Sequence, residues 1–373
     1  MIQTYAIFLD AYRHLCARRL FWLTMILSAL GVAAFALVGI NEMGISILFW
    51  DIELGFLNTE VVPRDQFYKM VFTSVGIGFW LTWIAAILAI ISTAGIFPEM
   101  ISSGAIEPLL SKPIGRFRLY MTKYIAGLMF VALQVSVFTI ACFLVIGIRG
   151  GAWEPALLLA IPIVVLFFSY LFSICVFFGV WTRSTITSML LTLLIWMGLI
   201  VLLHWGETSI LLFKNMTEMG VEAREAKIVT VQGRLDALGD RAETEEFDWA
   251  RETIANMEEQ LEGARNTRDN LRLTHTILLS AKTVLPKTGE TVDLLERWLI
   301  DLADLPESMA GEDADLAALI SDDGDFRPDD EMLQGRMLAE LQGRSVWWVI
   351  GTSVLFEGVV VLLGAWVFCR RDY

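Results

Sequence analysis

Six stretches of the chain are apolar on every face of a helix, and polar residues crowd into the segments between them. Residues 20–41, 70–98, 124–148, 155–182 and 184–206 contain no Asp, Glu, Lys or Arg, and residues 345–369 contain one, Glu357. A helix needs about 20 such residues to cross the hydrocarbon core. Backbone groups in lipid must bond within the segment, which selects helices over open strands. The pattern predicts six transmembrane helices at 21–40, 72–96, 124–148, 156–181, 185–204 and 346–369. The expected fold class is an all-α membrane protein.

Elsewhere the apolar positions fall at helical spacing. In residues 1–20, Tyr5, Phe8, Tyr12 and Leu15 lie on one side, and Asp10, Arg13, His14, Arg18 and Arg19 mostly on others. This predicts a cytoplasmic amphipathic helix in the membrane interface. Phe247, Ala250, Ile254, Met257, Leu261, Ala264 and Leu271 fit a heptad with Arg268 in the seam, and Ile228, Val231, Leu235 and Leu238 fit a second. The two are out of phase across Gly239–Glu246. An antiparallel coiled-coil hairpin explains the break, and a single helix with a phase slip is the competing reading. After Pro286, the residues Val292, Leu295, Leu299 and Leu302 mark an apolar face with Trp298 beside it, as in a helix lying on the outer membrane surface. Residues 307–331 are acidic and poor in aromatics, the composition of a loop.

Charge orients the spans. With the N-terminus in the cytoplasm, the inside segments hold 10 Lys and Arg: Arg13, Arg18, Arg19, Lys112, Arg116, Arg118, Lys123, Arg183, Arg370 and Arg371. The short outside loops hold 3: Arg64, Lys69 and Arg149. The positive-inside rule therefore puts both termini in the cytoplasm and residues 205–345 outside, as a mostly helical extracytoplasmic domain between helices 5 and 6. Residues 205–344 carry 15 Lys and Arg against 31 Asp and Glu, a net of −16, and the rest of the chain is near neutral at +2. Such an acidic face serves solubility. Residues 346–373 return the chain to the inside as helix 6 and a tail. The four cysteines, Cys16, Cys142, Cys175 and Cys369, lie in or beside spans without metal-type spacing. The hydrophobic share is 56%, with mean hydropathy +0.60, too apolar for an ordinary soluble domain.

One polar stretch interrupts the membrane body, "FPEMISSGAIEPLLSKPIGRFRLYMTK", residues 97–123. Taken as a helix, 99–111 is about 20 Å long and too polar to span, so it should lie beneath the bilayer. Pro113 ends it, and Arg116, Arg118 and Lys123 fall at the depth of lipid phosphates. Glu99, Gly104, Glu107, Leu109, Leu110, Ser111, Pro113 and Arg116, with Lys123 just before the third span, form a pattern that resembles permeases of the ABC-2 class of ABC transporters. The six spans of 21–204 and 346–369 match as well. Its "LPKTGE" resembles outer-loop sequences of the branch associated with multicopper enzyme maturation. The resemblance implies that 97–123 is a coupling helix docking on a separate ATPase subunit. It also implies a non-catalytic subunit paired with a second permease, identical or not, in a bacterial inner membrane.

The chain has no G-x-x-x-x-G-K-[ST], H-E-x-x-H or G-x-S-x-G motif, and its histidines, His14, His204 and His275, are far apart in sequence. No cofactor, metal or nucleic acid is expected. Partners are expected to be the ATPase, the second permease, membrane lipids and an extracytoplasmic protein. The alternative function is a membrane-anchored structural or signalling protein that presents the external hairpin to a partner. Within the spans, Glu357 should face protein or water, with Gln134, Thr187 or Thr192 as hydrogen-bond partners.

Overall fold

A computed structural model of the protein describes residues 19–41, 44–47, 50–53, 64–102, 115–151, 153–238, 248–299, 319–320 and 326–371, with Leu9, Arg13 and Ala17 before them. The expected interfacial helix of residues 1–20 lies almost wholly outside the described residues, as does 103–114.

The chain begins with α1 (Arg19–Leu37), followed by β1 (Val38–Asn41), β2 (Gly44–Ile47) and β3 (Trp50–Glu53). These strands pair antiparallel in the order β1-β2-β3. Next come α2 (Arg64–Val71), a π-helical stretch Phe72–Ala85, α3 (Ala86–Thr93) and α4 (Ile96–Ser102). Then α5 (Arg116–Val145) ends in a π stretch, Ile146–Gly150. α6 (Ala160–Thr182) starts from a 3-10 turn, Pro155–Leu159, and α7 (Thr185–Gly198) runs into a π stretch, Leu199–Trp205. α8 (Gly206–Leu238), α9 (Asp248–Val284), α10 (Thr288–Leu299) and α11 (Asp330–Gln342) follow. A last π stretch, Trp347–Gly351, leads into α12 (Thr352–Arg370).

Among the described residues, five helical runs are long and apolar enough to cross a membrane: Phe67–Ser102, Arg116–Gly150, Pro155–Thr182, the run starting at Thr185, and Trp347–Arg370. The chain is a mostly helical, multi-pass membrane protein. The first expected span is shorter than the others, with its apolar helix at Phe21–Leu37. The cause is local. Gly39 weakens a helix, and in the strand pair it stands opposite Ser46. A Cβ on Gly39 would come within 2.7 Å of the Ser46 Oγ, so the close pairing needs glycine there. This small sheet was absent from the all-helical expectation.

Contacts divide the chain into two units. The first comprises Met1–Gly198, Val284–Asp301 and Val346–Tyr373. Its centre is α6, against which α4, α5, α7, α10 and α12 pack. Phe167, Phe168, Tyr170, Leu171 and Phe172 of α6 are all buried. Small residues let neighbours close in. A Cβ on Gly127 of α5 would meet the Phe172 ring at 2.5 Å, and one on Gly179 would meet Pro98 at 3.3 Å.

The second unit comprises Leu199–Thr283 and Leu302–Ser345. Here α8 and α9 run antiparallel. As the α8 partner moves from Glu207 to Glu218 to Glu225, the α9 partner moves back from Lys282 to Arg272 to Arg265. Ile228, Ile254, Met257 and Leu261 are buried between the two helices, with Val231, Leu235 and Ala264 packed against them. These are the heptad positions, and they settle the two runs as a hairpin. α11 covers α8 through Met219, Met332 and Leu333.

The division departs from the expected 205–345 domain at two places, and the first is Leu199–His204, which falls in the second unit. Val284–Asp301 belongs with the membrane unit. There α10 buries Leu294 and Leu295 against protein and leaves Trp298 exposed. It packs on α6 and on three of the places where the spans leave α-helical geometry, the Phe72–Ala85 and Trp347–Gly351 π stretches and the Pro155–Leu159 turn.

Candidate functional site

Three features of the membrane unit are candidates for function. The first is the elbow built on α4. Phe97, Pro98, Met100 and Ile101 are buried, and Glu99 is exposed. The Phe97 ring lies 5.0 Å from Tyr120 of α5 and 6.2 Å from Phe368 of α12, and Tyr120 and Phe368 are 5.8 Å apart. Pro98 fills the space that Gly179 of α6 leaves open. On α12, Gly364 makes room for Tyr120, since a Cβ there would come within 2.5 Å of its hydroxyl. One short helix is thus held by three long ones.

Of the candidate coupling residues, Glu99 and Arg116 are described. Gly104, Glu107, Leu109, Leu110, Ser111 and Pro113 lie outside the described residues. Arg116 has an intramolecular task. Its Nη1 donates to the carbonyls of Cys369 at 3.1 Å and Arg371 at 2.8 Å. The last carbonyls of a helix have no partner within it, and cations at that end also meet the negative end of the dipole.

The second feature is a polar node inside the bundle. Glu357 of α12 accepts a hydrogen bond from the Tyr124 hydroxyl of α5 at 2.8 Å. Its other oxygen is 2.8 Å from the Ser169 Oγ of α6. The expected partners are engaged elsewhere. Gln134 donates to Thr24 of α1, Thr192 to the Ser188 carbonyl, and Thr187 to Ser184. The reason is depth along the helices: Gln134 stands ten residues, about 15 Å, beyond Tyr124 on α5. Gln134 and Thr24 instead border a small cavity with Ser28, Trp80 and Phe167. Gly351 and Gly358 lie seven apart, on one helical face. A Cβ on either would meet no atom within 4 Å among the described residues, so no helix of this chain closes in on them there.

The third feature was not legible as a site. Lys287 is buried at 1% exposure, with Glu290, Thr291 and Ser353 buried beside it. Its backbone N–H donates to Ser353 Oγ at 3.0 Å, its Nζ donates to Thr352 Oγ1, and Nζ stands 4.2 Å over the Trp348 ring. Thr291 closes back on the Lys287 carbonyl at 2.7 Å. A cation over a desolvated indole is worth up to about 2 kcal/mol. The sequence signal available was Pro286, which starts a new helix directly after α9 and so turns "KTGET" away from it. Ser353 is one turn from Glu357 on α12, so a polar column runs from Lys287 to the Glu357 node. The buried Tyr170 hydroxyl of α6 lies beside Thr291 and Ser353, without a well-formed hydrogen bond among the described residues.

No group of His, Cys, Asp or Glu suited to a metal occurs among the described residues. Compared with known protein families, with curated proteins and with solved structures, the chain has no match.

Proposed function

We propose that the chain is the membrane permease of an ABC-2 type transporter. It is a non-catalytic subunit that moves a substrate, or transmits force, using ATP hydrolysed by a separate ATPase. The observation that supports this is the seating of α4. Its apolar side is wedged among α5, α6 and α12, and its acidic residue Glu99 is exposed. A push on α4 must move the helices that grip it, because packed helices shift as units. The motif that starts on α4 supplies the partner side. Gly104 permits close backbone approach, and Glu99 and Glu107 can pair with cations of the ATPase.

Six spans with both termini inside complete the reading, in a bacterial inner membrane and as a dimer with a second permease. In that topology the membrane unit's π stretches, Phe72–Ala85, Ile146–Gly150 and Trp347–Gly351, all fall in the outer halves of their spans. π-helical turns are rare and recur at functional sites. The outer halves, with α10 packed on them, are the part of the bundle built to rearrange.

Copurification of the full-length chain with an ATPase subunit is the test. The wild type is expected to carry the ATPase, and Gly104→Trp to insert in the membrane but lose coupling. A wild type that carries no ATPase, and instead retains an external protein through the α8–α9 hairpin, overturns the reading in favour of a membrane-anchored structural or signalling protein.

A further inference from the structure

Two arginines tie the ends of three helices in series. α6 stops at Arg183, which adopts a left-handed conformation at φ 56°. The carbonyls of Val180 and Trp181 are thereby left at an open helix end. Arg371 takes both, its Nη1 donating at 2.8 Å to each. Arg371 itself stands at the end of α12, and its own carbonyl accepts from Arg116 at the start of α5. The order is therefore Arg116 of α5, the end of α12, Arg371, the end of α6. These are the three helices that grip Phe97 and Pro98 of α4.

We propose that Arg116 and Arg371 are positioning residues that make α5, α12 and α6 move as one body when α4 is displaced. This rests on the permease reading for its function, and on the hydrogen bonds alone for its mechanics. A guanidinium suits the task because its planar fork holds two carbonyls in fixed directions, where an ammonium would hold them loosely. The residues needed are short-range: α4 touches α5, α6 and α12 through apolar side chains that can slide, and the arginines lock the same helices through directional bonds. Arg116 bonds to the end of α12 and reaches α6 through Arg371.

That indirect reach gives the test. Hydrogen exchange is followed by mass spectrometry on the full-length chain in lipid nanodiscs. Arg116→Gln loses both charged hydrogen bonds to the end of α12 and is expected to speed exchange there, at 367–371, by about tenfold or more. It should also speed exchange at 178–183, to which Arg116 donates no hydrogen bond. Arg371→Gln should loosen 178–183 alone, because Arg116 still holds the end of α12 through its backbone carbonyl. Arg371→Lys should restore part of the protection. If Arg116→Gln leaves 178–183 unchanged, the two arginines are independent caps and the proposal is wrong. Arg116→Lys, which keeps the charge and loses the fork, gives the same comparison should the Gln variant fail to insert. In a complex with the ATPase, ATP is expected to change exchange at both helix ends together in the wild type and at one end only in Arg371→Gln. ATP moving the two ends separately in the wild type also overturns the proposal. If no ATPase binds the wild type, the permease reading falls, and the Arg116→Gln comparison still decides the arginine series.

Discussion

Glu207 and Lys282 stand 75 positions apart in sequence and form a buried ion pair between the start of α8 and the end of α9. Arg344, past the end of α11, donates to the other oxygen of the same carboxylate. One carboxylate thus holds two cations where α8 begins and α9 and α11 end. His275 lies behind it, with Nε2 3.9 Å from Glu207.

Removing the shared carboxylate should be severe. Glu207→Gln removes the charge that Lys282 and Arg344 share, and breaking a buried ion pair costs about 3–5 kcal/mol. Glu218→Gln breaks the pair with Arg272, whose side chain is 54% exposed, and should cost no more than about 1 kcal/mol. Denaturant unfolding of the full-length protein, followed by helical circular dichroism and by proteolysis of α8 and α9, checks the contrast. Equal losses for the two variants would show that the buried cluster adds nothing special.

Acid should loosen the same cluster. Burial, and then the Lys214 ammonium, hold the His275 imidazole below its ordinary value of 6.5, against the opposing pull of Glu340 and Glu207. The folded state therefore binds this proton less readily than the unfolded state. The stability that depends on neutral His275 is complete above pH 6.5 and is lost as the pH falls through the folded value. Melting of the second unit, read by proteolysis between pH 7.5 and 5, should fall more steeply in the wild type than in His275→Gln. Parallel slopes for the two proteins count against the assignment.

Glu357 should prove a matter of hydrogen bonds as well as charge. Glu357→Gln keeps an acceptor for Tyr124 and a polar group for Ser169, and should alter stability by about 1 kcal/mol or less. Glu357→Leu removes both hydrogen bonds, leaving Tyr124 the Ser169 carbonyl at 3.3 Å and Ser169 the Leu166 carbonyl at 2.7 Å, and should cost about 1–3 kcal/mol. Thermal unfolding in detergent measures both. Loss of coupled ATPase activity in the Gln variant, with assembly intact, would add a role for the charge.

Lys287 should anchor α10. Lys287→Met keeps the length of the side chain and removes the contacts to Thr352 and Trp348. Protease cleavage between Val284 and Leu299 is expected to rise about tenfold, the change that about 1.4 kcal/mol represents. Trp348→Leu should give the same sign by removing the other half of the cation–π pair. Unchanged cleavage in both variants would mean that the apolar face of α10 holds it unaided.

Hydropathy alone located the long apolar helices, because lipid tolerates no break in helical hydrogen bonding and so writes its demand as uninterrupted composition. Heptad spacing alone located the α8–α9 seam, down to Ile254, Met257 and Leu261. The resemblance to a permease came from a contiguous motif and needed no fold. Partners distant in sequence were not legible. Nothing in the order of residues pairs Glu357 with Tyr124 and Ser169 rather than Gln134, since that depends on the relative depth of three helices. The same holds for Arg371, whose two carbonyl partners are about 190 positions away. α10 shows the limit most clearly. Its amphipathic pattern says that one face is covered, and a membrane surface or a protein surface satisfies that pattern equally. Only tertiary structure shows the protein contact, because it depends on spans that leave α-helical geometry beside α10 and bring Ser353, Thr352 and Trp348 to a buried lysine.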